Sequence, residues 1–214
     1  MQRAFGLEIP QTLEEVCDPR RLAVIVYDMQ AGILAQLPEA ETVTTRVVTV
    51  LEAAREGGYR VFFTRHMSLP PEVTGVAGLR MAMAWQRADR PEDVTPAFLP
   101  GSAAFQLVPE MTPRPSEAVF DKITMSCFLG TPLDLALRDC AVNSFAIVGV
   151  ALEVGIEPTV RHAADLGYIP VVVADACGGR DQVARQRSLD GLAFAGDAIL
   201  TDTATISHLL DLSN

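Results

Sequence analysis

The chain has 214 residues, 49% of them hydrophobic, and a formal net charge of −10. That length and apolar content suit one compact domain with a large core over residues 1–214, and no Lys/Arg cluster marks a face for nucleic acid or an anionic membrane surface. No run approaches the roughly 18 apolar residues of a membrane span, and the N-terminus lacks the basic-then-apolar order of a signal peptide, so a cytoplasmic address is the default expectation.

In chain order, apolar runs rich in β-branched residues occur at Leu22–Tyr27 (LAVIVY), Arg60–Thr64, Glu117–Phe120, Ser144–Val150, Ile169–Ala174 and, more weakly, Asp197–Leu200. They are continuous rather than alternating, the pattern of parallel strands covered on both faces. Amphipathic stretches fall between them at Thr42–Glu56, Pro132–Cys140, Glu157–Leu166, Asp181–Ala195 and Ala204–Leu210. Strands alternating with helices predict an open, mostly parallel α/β sheet. The segment Ser68–Pro100 breaks the alternation with VAGLRMAMAWQRADRPED, read as a helix followed by a Pro-containing loop. It is either a surface helix packed by Met and Trp85 or a cover over the strand ends. In the second case Arg80 or Arg87 reaches inward with a bidentate fork for a substrate carboxylate.

Ligands of such sheets bind beyond the carboxyl ends of the strands, which directs attention to Asp28, His66, Lys122, Ala151 to Gly155 and Asp175 to Cys177. Asp28 follows directly on LAVIVY, so its carboxylate emerges where water access is restricted, suited to proton exchange with a substrate; a turn or helix N-cap residue is the other reading. Lys122 leaves its strand in the same way, as a surface lysine or as an ammonium that sets the protonation of Asp28 and holds an anion. GVALEVG supplies backbone amides ahead of a helix whose first turn accommodates Pro158, and amides near Ala151 to Gly155 can receive an oxyanion or carboxylate. The four cysteines, Cys17, Cys127, Cys140 and Cys177, form no CxxC and no Cys/His cluster, and read as reduced thiols.

Taken together, VIVYDMQ, FDKITMSCFLGTPLD and VGVALEVGIEPTVRHAADLGY, with PGSAAFQLVPEM between the first two, resemble the isochorismatase-like hydrolases, or cysteine hydrolase superfamily, from about Leu22 to the C-terminus. Residues 1–21 lie outside the resemblance as an N-terminal extension. It implies a Rossmann-like three-layer sandwich with a six-stranded, mostly parallel sheet, a small-molecule substrate, no cofactor, and assembly as a homodimer or homotetramer. Most such enzymes are amidases in which Asp deprotonates a Cys thiol, Lys supports the ionised state and the thiolate attacks a carbonyl. Matching the motifs places Asp28 and Lys122 in the first two roles and Gly155 at the thiol. A non-proline cis peptide preceding the thiol position would fall between Val150 and Ala151. Neither Cys127 nor Cys177 sits on the helix start that would depress a thiol pKa, so neither is expected to substitute.

The isochorismatases proper resemble this chain in carrying Gly at that point, and their vinyl-ether cleavage needs an acid rather than a nucleophile. The resemblance therefore implies Asp28 as acid/base with Lys122 as its electrostatic partner, and the reading of the residues adds Ala151, Glu153, Arg80, Arg87 and Trp85 as candidates around the substrate. Where those enzymes carry YAH this chain has ALE, which introduces Glu153 either as an orienter of water or as a solvated or Arg-paired residue. Related nicotinamidases bind zinc through one Asp and two His after the second strand; His66 stands alone there, so no metal is expected. The leading expectation is acid/base-catalysed addition of water to a small carboxylate-bearing metabolite, an enol ether of isochorismate type being the most concrete. The alternatives are a catalytically silent binding paralogue and an amidase whose nucleophile has been replaced at Gly155.

Overall fold

The computed structural model describes residues 1–211. An antiparallel hairpin, β1 (Gln2–Ala4) and β2 (Leu7–Ile9), and a single turn α1 (Leu13–Val16) precede the main sheet. That sheet comprises β3 (Leu22–Tyr27), β4 (Arg60–His66), β5 (Ala118–Lys122), β6 (Ser144–Val150), β7 (Ile169–Gly178) and β8 (Ile199–Thr201), in the order β5-β4-β3-β6-β7-β8. Every neighbouring pair in it is parallel. Helices α2 (Ala31–Leu34), α3 (Ala40–Glu56), α4 (Val76–Gln86), α5 (Leu133–Asp139), α6 (Glu157–Asp165), α7 (Gln182–Ala195) and α8 (Thr203–Asp211) complete the chain.

β3 and β6 are buried at every position, as their unbroken apolar runs require of strands covered on both faces. One core layer joins Val24, Val26 and Val148 to Val43, Val47 and Val50 of α3 and Ile206 of α8. The other joins Ile25, Tyr27 and Ile147 to Leu133 of α5, Val160 of α6 and Leu192 of α7. The two layers, one on each sheet face, make the three-layer sandwich.

Boundaries move where backbone pairing outlasts the apolar run. β4 continues to His66 because Arg65 and His66 pair with Asp121 and Lys122 of β5. β7 continues to Gly178 through a register shift that sets Gly149 and Val150 against Cys177 and Gly178. Such an irregularity leaves no periodicity signal. Gly149, at φ 125°, is required here: a Cβ on it would lie 2.9 Å from the Tyr27 carbonyl carbon and amide nitrogen. The end of β6 therefore packs directly on the β3 main chain beside Asp28.

Candidate active site

Asp28 and Lys122 leave β3 and β5 at their carboxyl ends, with β4 between them. The lysine side chain crosses β4 and places Nζ 2.6 Å from Asp28 Oδ2. The second carboxylate oxygen accepts from Thr64 Oγ1 of β4 at 2.6 Å. Asp28 adopts a left-handed conformation, φ 49°, unusual for a residue with a side chain; its N–H, directed at the Thr64 carbonyl oxygen and hydroxyl (3.2 Å each), holds it there. Lys122 Nζ also donates to the Thr124 carbonyl (3.3 Å) and stands 4.3 Å from the centroid of the Tyr27 ring. Both charged residues are buried, at 3% exposure each, so each ion depends on its partner for what water would otherwise supply.

Asp28 lines a cavity of about 930 Å³ together with Tyr27, His66, Ala151 and Gly155, while Lys122 is buried behind it and does not line the cavity. The cavity is roofed by α4, so the segment that interrupts the strand–helix alternation covers the strand ends. Trp85 and Arg87 line it, with Trp85 46% exposed. Arg87 stops α4 in a left-handed cap, φ 54°, which turns the chain back across the mouth. Arg80 is exposed and does not line the cavity: it occupies the outer face of the same helix, a correction to the expectation that either arginine serves. Arg180, which sequence reasoning passed over, lines the rim instead.

Beyond β6 the chain passes a cis peptide between Val150 and Ala151 and enters a widened π-helical turn, Leu152–Ile156, before α6. The amides of Val154, Gly155 and Ile156 all point at the Ala151 carbonyl, at 3.3, 2.9 and 3.2 Å. The wide turn thus removes the Val154 and Gly155 amides from the anion site expected over Ala151 to Gly155. Glu153 Oε1 accepts from the Arg180 and Asp181 amides at 2.8 and 3.4 Å, tying the turn to the loop ahead of α7, and its Oε2 is buried without a hydrogen-bond partner. Gly155 carries no side chain at the α6 start.

Two polar side chains beside the acid/base pair were given no catalytic or binding role by the sequence, although His66 was marked at a strand end. His66, dismissed as a lone zinc ligand, lines the cavity; burial and then the Lys122 ammonium push it down to about 4, so it is a neutral imidazole. Its backbone N–H and C=O are both bound by the Gln30 side chain, at 2.6 and 3.0 Å. Tyr27, read only as a strand residue, also reaches the floor, its hydroxyl donating to the Met125 carbonyl. Burial and the Asp28 charge hold this phenol well above its ordinary pKa. Cys127 and Cys177 are fully buried, do not line the cavity, and are pushed by burial up to about 12. No group of three or more His, Cys, Asp or Glu suited to a metal ion occurs among the described residues.

Residues 22–205 match the sequence pattern of the isochorismatase domain. The chain belongs to the isochorismatase family. The ureidoacrylate amidohydrolase RutB of Pseudomonas syringae pv. syringae is 30% identical over 175 residues, 74% of this chain and 71% of that protein. The enzyme of the same name from Methylobacterium radiotolerans is 29% identical over 192 residues, 81% of this chain and 74% of the relative. The isochorismatase fold recurs in a cysteine hydrolase from Pseudomonas syringae pv. phaseolicola, with TM-score 0.77 and 21% identity over 92% of this chain and 95% of the other. It recurs also in the N-carbamoylsarcosine amidase from Thermoplasma acidophilum, with TM-score 0.71 and 22% identity over 86% and 96%. No helix among the described residues is long and apolar enough to cross a membrane.

Proposed function

We propose that this isochorismatase-family protein hydrolyses a small carboxylate-bearing metabolite by direct addition of water, with no covalent enzyme intermediate. One observation carries the reading: the Asp28–Lys122 pair is complete at 2.6 Å beside a position, Gly155, that has no side chain to attack with. Neither remaining thiol of that region reaches the cavity. A cavity of about 930 Å³ suits a metabolite-sized ligand, and Arg87 and Arg180 at its rim offer guanidinium groups to a carboxylate.

An enol ether of isochorismate type is the leading substrate. Asp28 Oδ2 takes a proton from the Lys122 ammonium, 2.6 Å away, and passes it to the enol-ether carbon. Water adds to the resulting oxocarbenium ion and the hemiketal falls apart to carbonyl and alcohol, while the proton lost by the water returns to the acid/base pair. The names of the relatives, ureidoacrylate amidohydrolase and N-carbamoylsarcosine amidase, favour a second substrate class, an amide or ureido acid. There Asp28 takes a proton from the attacking water and returns it to the leaving nitrogen as the C–N bond breaks, while Lys122 holds the carboxylate in place.

The test is a panel of enol ethers, ureido acids and small amides, run in ¹⁸O-labelled water and followed by product and intact-protein mass spectrometry. The expected result is turnover of one class, no adduct on the chain, and a loss of about 10²–10⁴-fold in Asp28→Asn. A trapped adduct, an undiminished Asp28→Asn, or no turnover across the panel overturns the reading; the last leaves a small-molecule-binding protein.

A further inference from the structure

The absence of a side chain at Gly155 has a counterpart across the cavity floor. A Cβ placed on Gly155 would lie 2.6 Å from Tyr27 Cζ and 2.7 Å from Tyr27 Cε1, and closer still to the hydroxyl. Carbon atoms of different residues do not approach so closely, so one side must yield. The ring is not free to swing, because Tyr27 is 1% exposed, packed in the core layer with Ile25, Leu152 and Ile156, and anchored through its hydroxyl to the Met125 carbonyl. The main chain at Gly155 is held as well, its N–H donating to the Ala151 carbonyl at 2.9 Å and its own carbonyl accepting from Thr159 Oγ1 at 2.8 Å. Thr159 Oγ1 in turn accepts from the Cys127 amide, which ties α6 to the segment after β5.

We infer that Tyr27 is the residue that keeps this site non-covalent: its phenol occupies the space a nucleophilic side chain at position 155 would need, and Tyr27 and Gly155 form a single coupled pair. The inference deepens the water-addition reading and rests on it for its functional meaning, but its geometry stands without any substrate. The ring serves a second purpose in the same place, as a face for the Lys122 ammonium at 4.3 Å. A thiol cannot therefore be reinstated by one substitution. Gly155→Cys alone forces an overlap in a close-packed core, and Tyr27→Val alone leaves a void. Made together, each change relieves the defect of the other, and the new thiol faces the cavity that Asp28 also lines, where a base is at hand to take its proton.

The test uses the full chain as Gly155→Cys, Tyr27→Val and the double variant. Melting temperatures are measured for each, and the rate at which iodoacetamide alkylates position 155 is followed by peptide mass spectrometry against Cys140 as the internal standard. The double variant is expected to melt several degrees above Gly155→Cys, and to fold where that single variant does not. Its introduced thiol should react roughly tenfold faster than Cys140. The inference is overturned if Gly155→Cys is as stable as the parent, if the double variant is no more stable than Gly155→Cys, or if the introduced thiol reacts no faster than Cys140. None of these readouts involves substrate. An inactive parent with a recovered double variant would remove the hydrolase reading and leave the Tyr27–Gly155 coupling standing.

Discussion

Separating Asp28 from Lys122 probes the structure at its most demanding point. The two side chains are 5% and 0% exposed and meet at 2.6 Å. In Lys122→Met the carboxylate keeps one side-chain donor, Thr64 Oγ1 at 2.6 Å. In Asp28→Asn the ammonium keeps the Thr124 carbonyl at 3.3 Å and the Tyr27 ring at 4.3 Å. Removing one member of a buried ion pair costs about 3–5 kcal/mol, because the survivor stays desolvated without compensation. Lys122→Met should fall at the upper end, since a buried carboxylate with a single neutral donor is the worse orphan. At roughly 2–4 °C per kcal/mol for a domain of this size, the melting temperature should drop by roughly 6–20 °C. The combined variant removes both charges, so its loss should fall short of additivity by about 2–3 kcal/mol. Urea unfolding followed by far-ultraviolet circular dichroism gives the three free energies; fluorescence from the one tryptophan, Trp85 on α4, would report mainly the cavity roof. Additivity within about 0.5 kcal/mol would show that the pair is not coupled and would refute the burial argument.

His66 gives a pH signature. Its pKa is lowered from 6.5 to about 4 in the folded chain, so between those values the unfolded state binds a proton that the folded state refuses. Stability is therefore lost as pH falls from about 6.5 towards 4, by up to about 3 kcal/mol; melting curves of the parent should steepen in that window relative to His66→Gln, and parallel curves would show that His66 is not the source. Burial of Cys17, Cys127 and Cys177 with each pKa at about 12 predicts that iodoacetamide at pH 8 modifies Cys140 alone and leaves turnover intact, as peptide mapping and an activity assay would report. Removal of Arg87 or Arg180 should raise KM for a carboxylate substrate by roughly 10–100-fold, the worth of a charge-assisted hydrogen bond, while kcat changes little; an unchanged KM in both would place the carboxylate elsewhere.

Much of the architecture was legible in the chain because burial on two faces writes itself as continuous apolar runs. LAVIVY and SFAIVGV became β3 and β6 with unchanged ends, and the helices between strands moved by only a residue or two. Asp28 and Lys122 were legible as candidates because each directly ends a strand. Their pairing was expected from the family resemblance, but the residues alone left a surface lysine as the other reading, since contact depends on β4 lying between β3 and β5 and on a lysine long enough to cross it. Arg80 and Arg87 were indistinguishable in one dimension; helix phase and the left-handed cap at Arg87 put one outside and one at the mouth. Tyr27 hid inside an apolar run, where an aromatic strand residue signals only core, and Glu153 hid its attachment to the β7–α7 loop. Local sequence thus determined the strands, the helices and the loss of a side chain at Gly155, because propensity and burial pattern act over a few neighbouring residues. Only the tertiary structure decided what fills that space, because it depends on the distance between residues 128 positions apart along the chain, Tyr27 and Gly155.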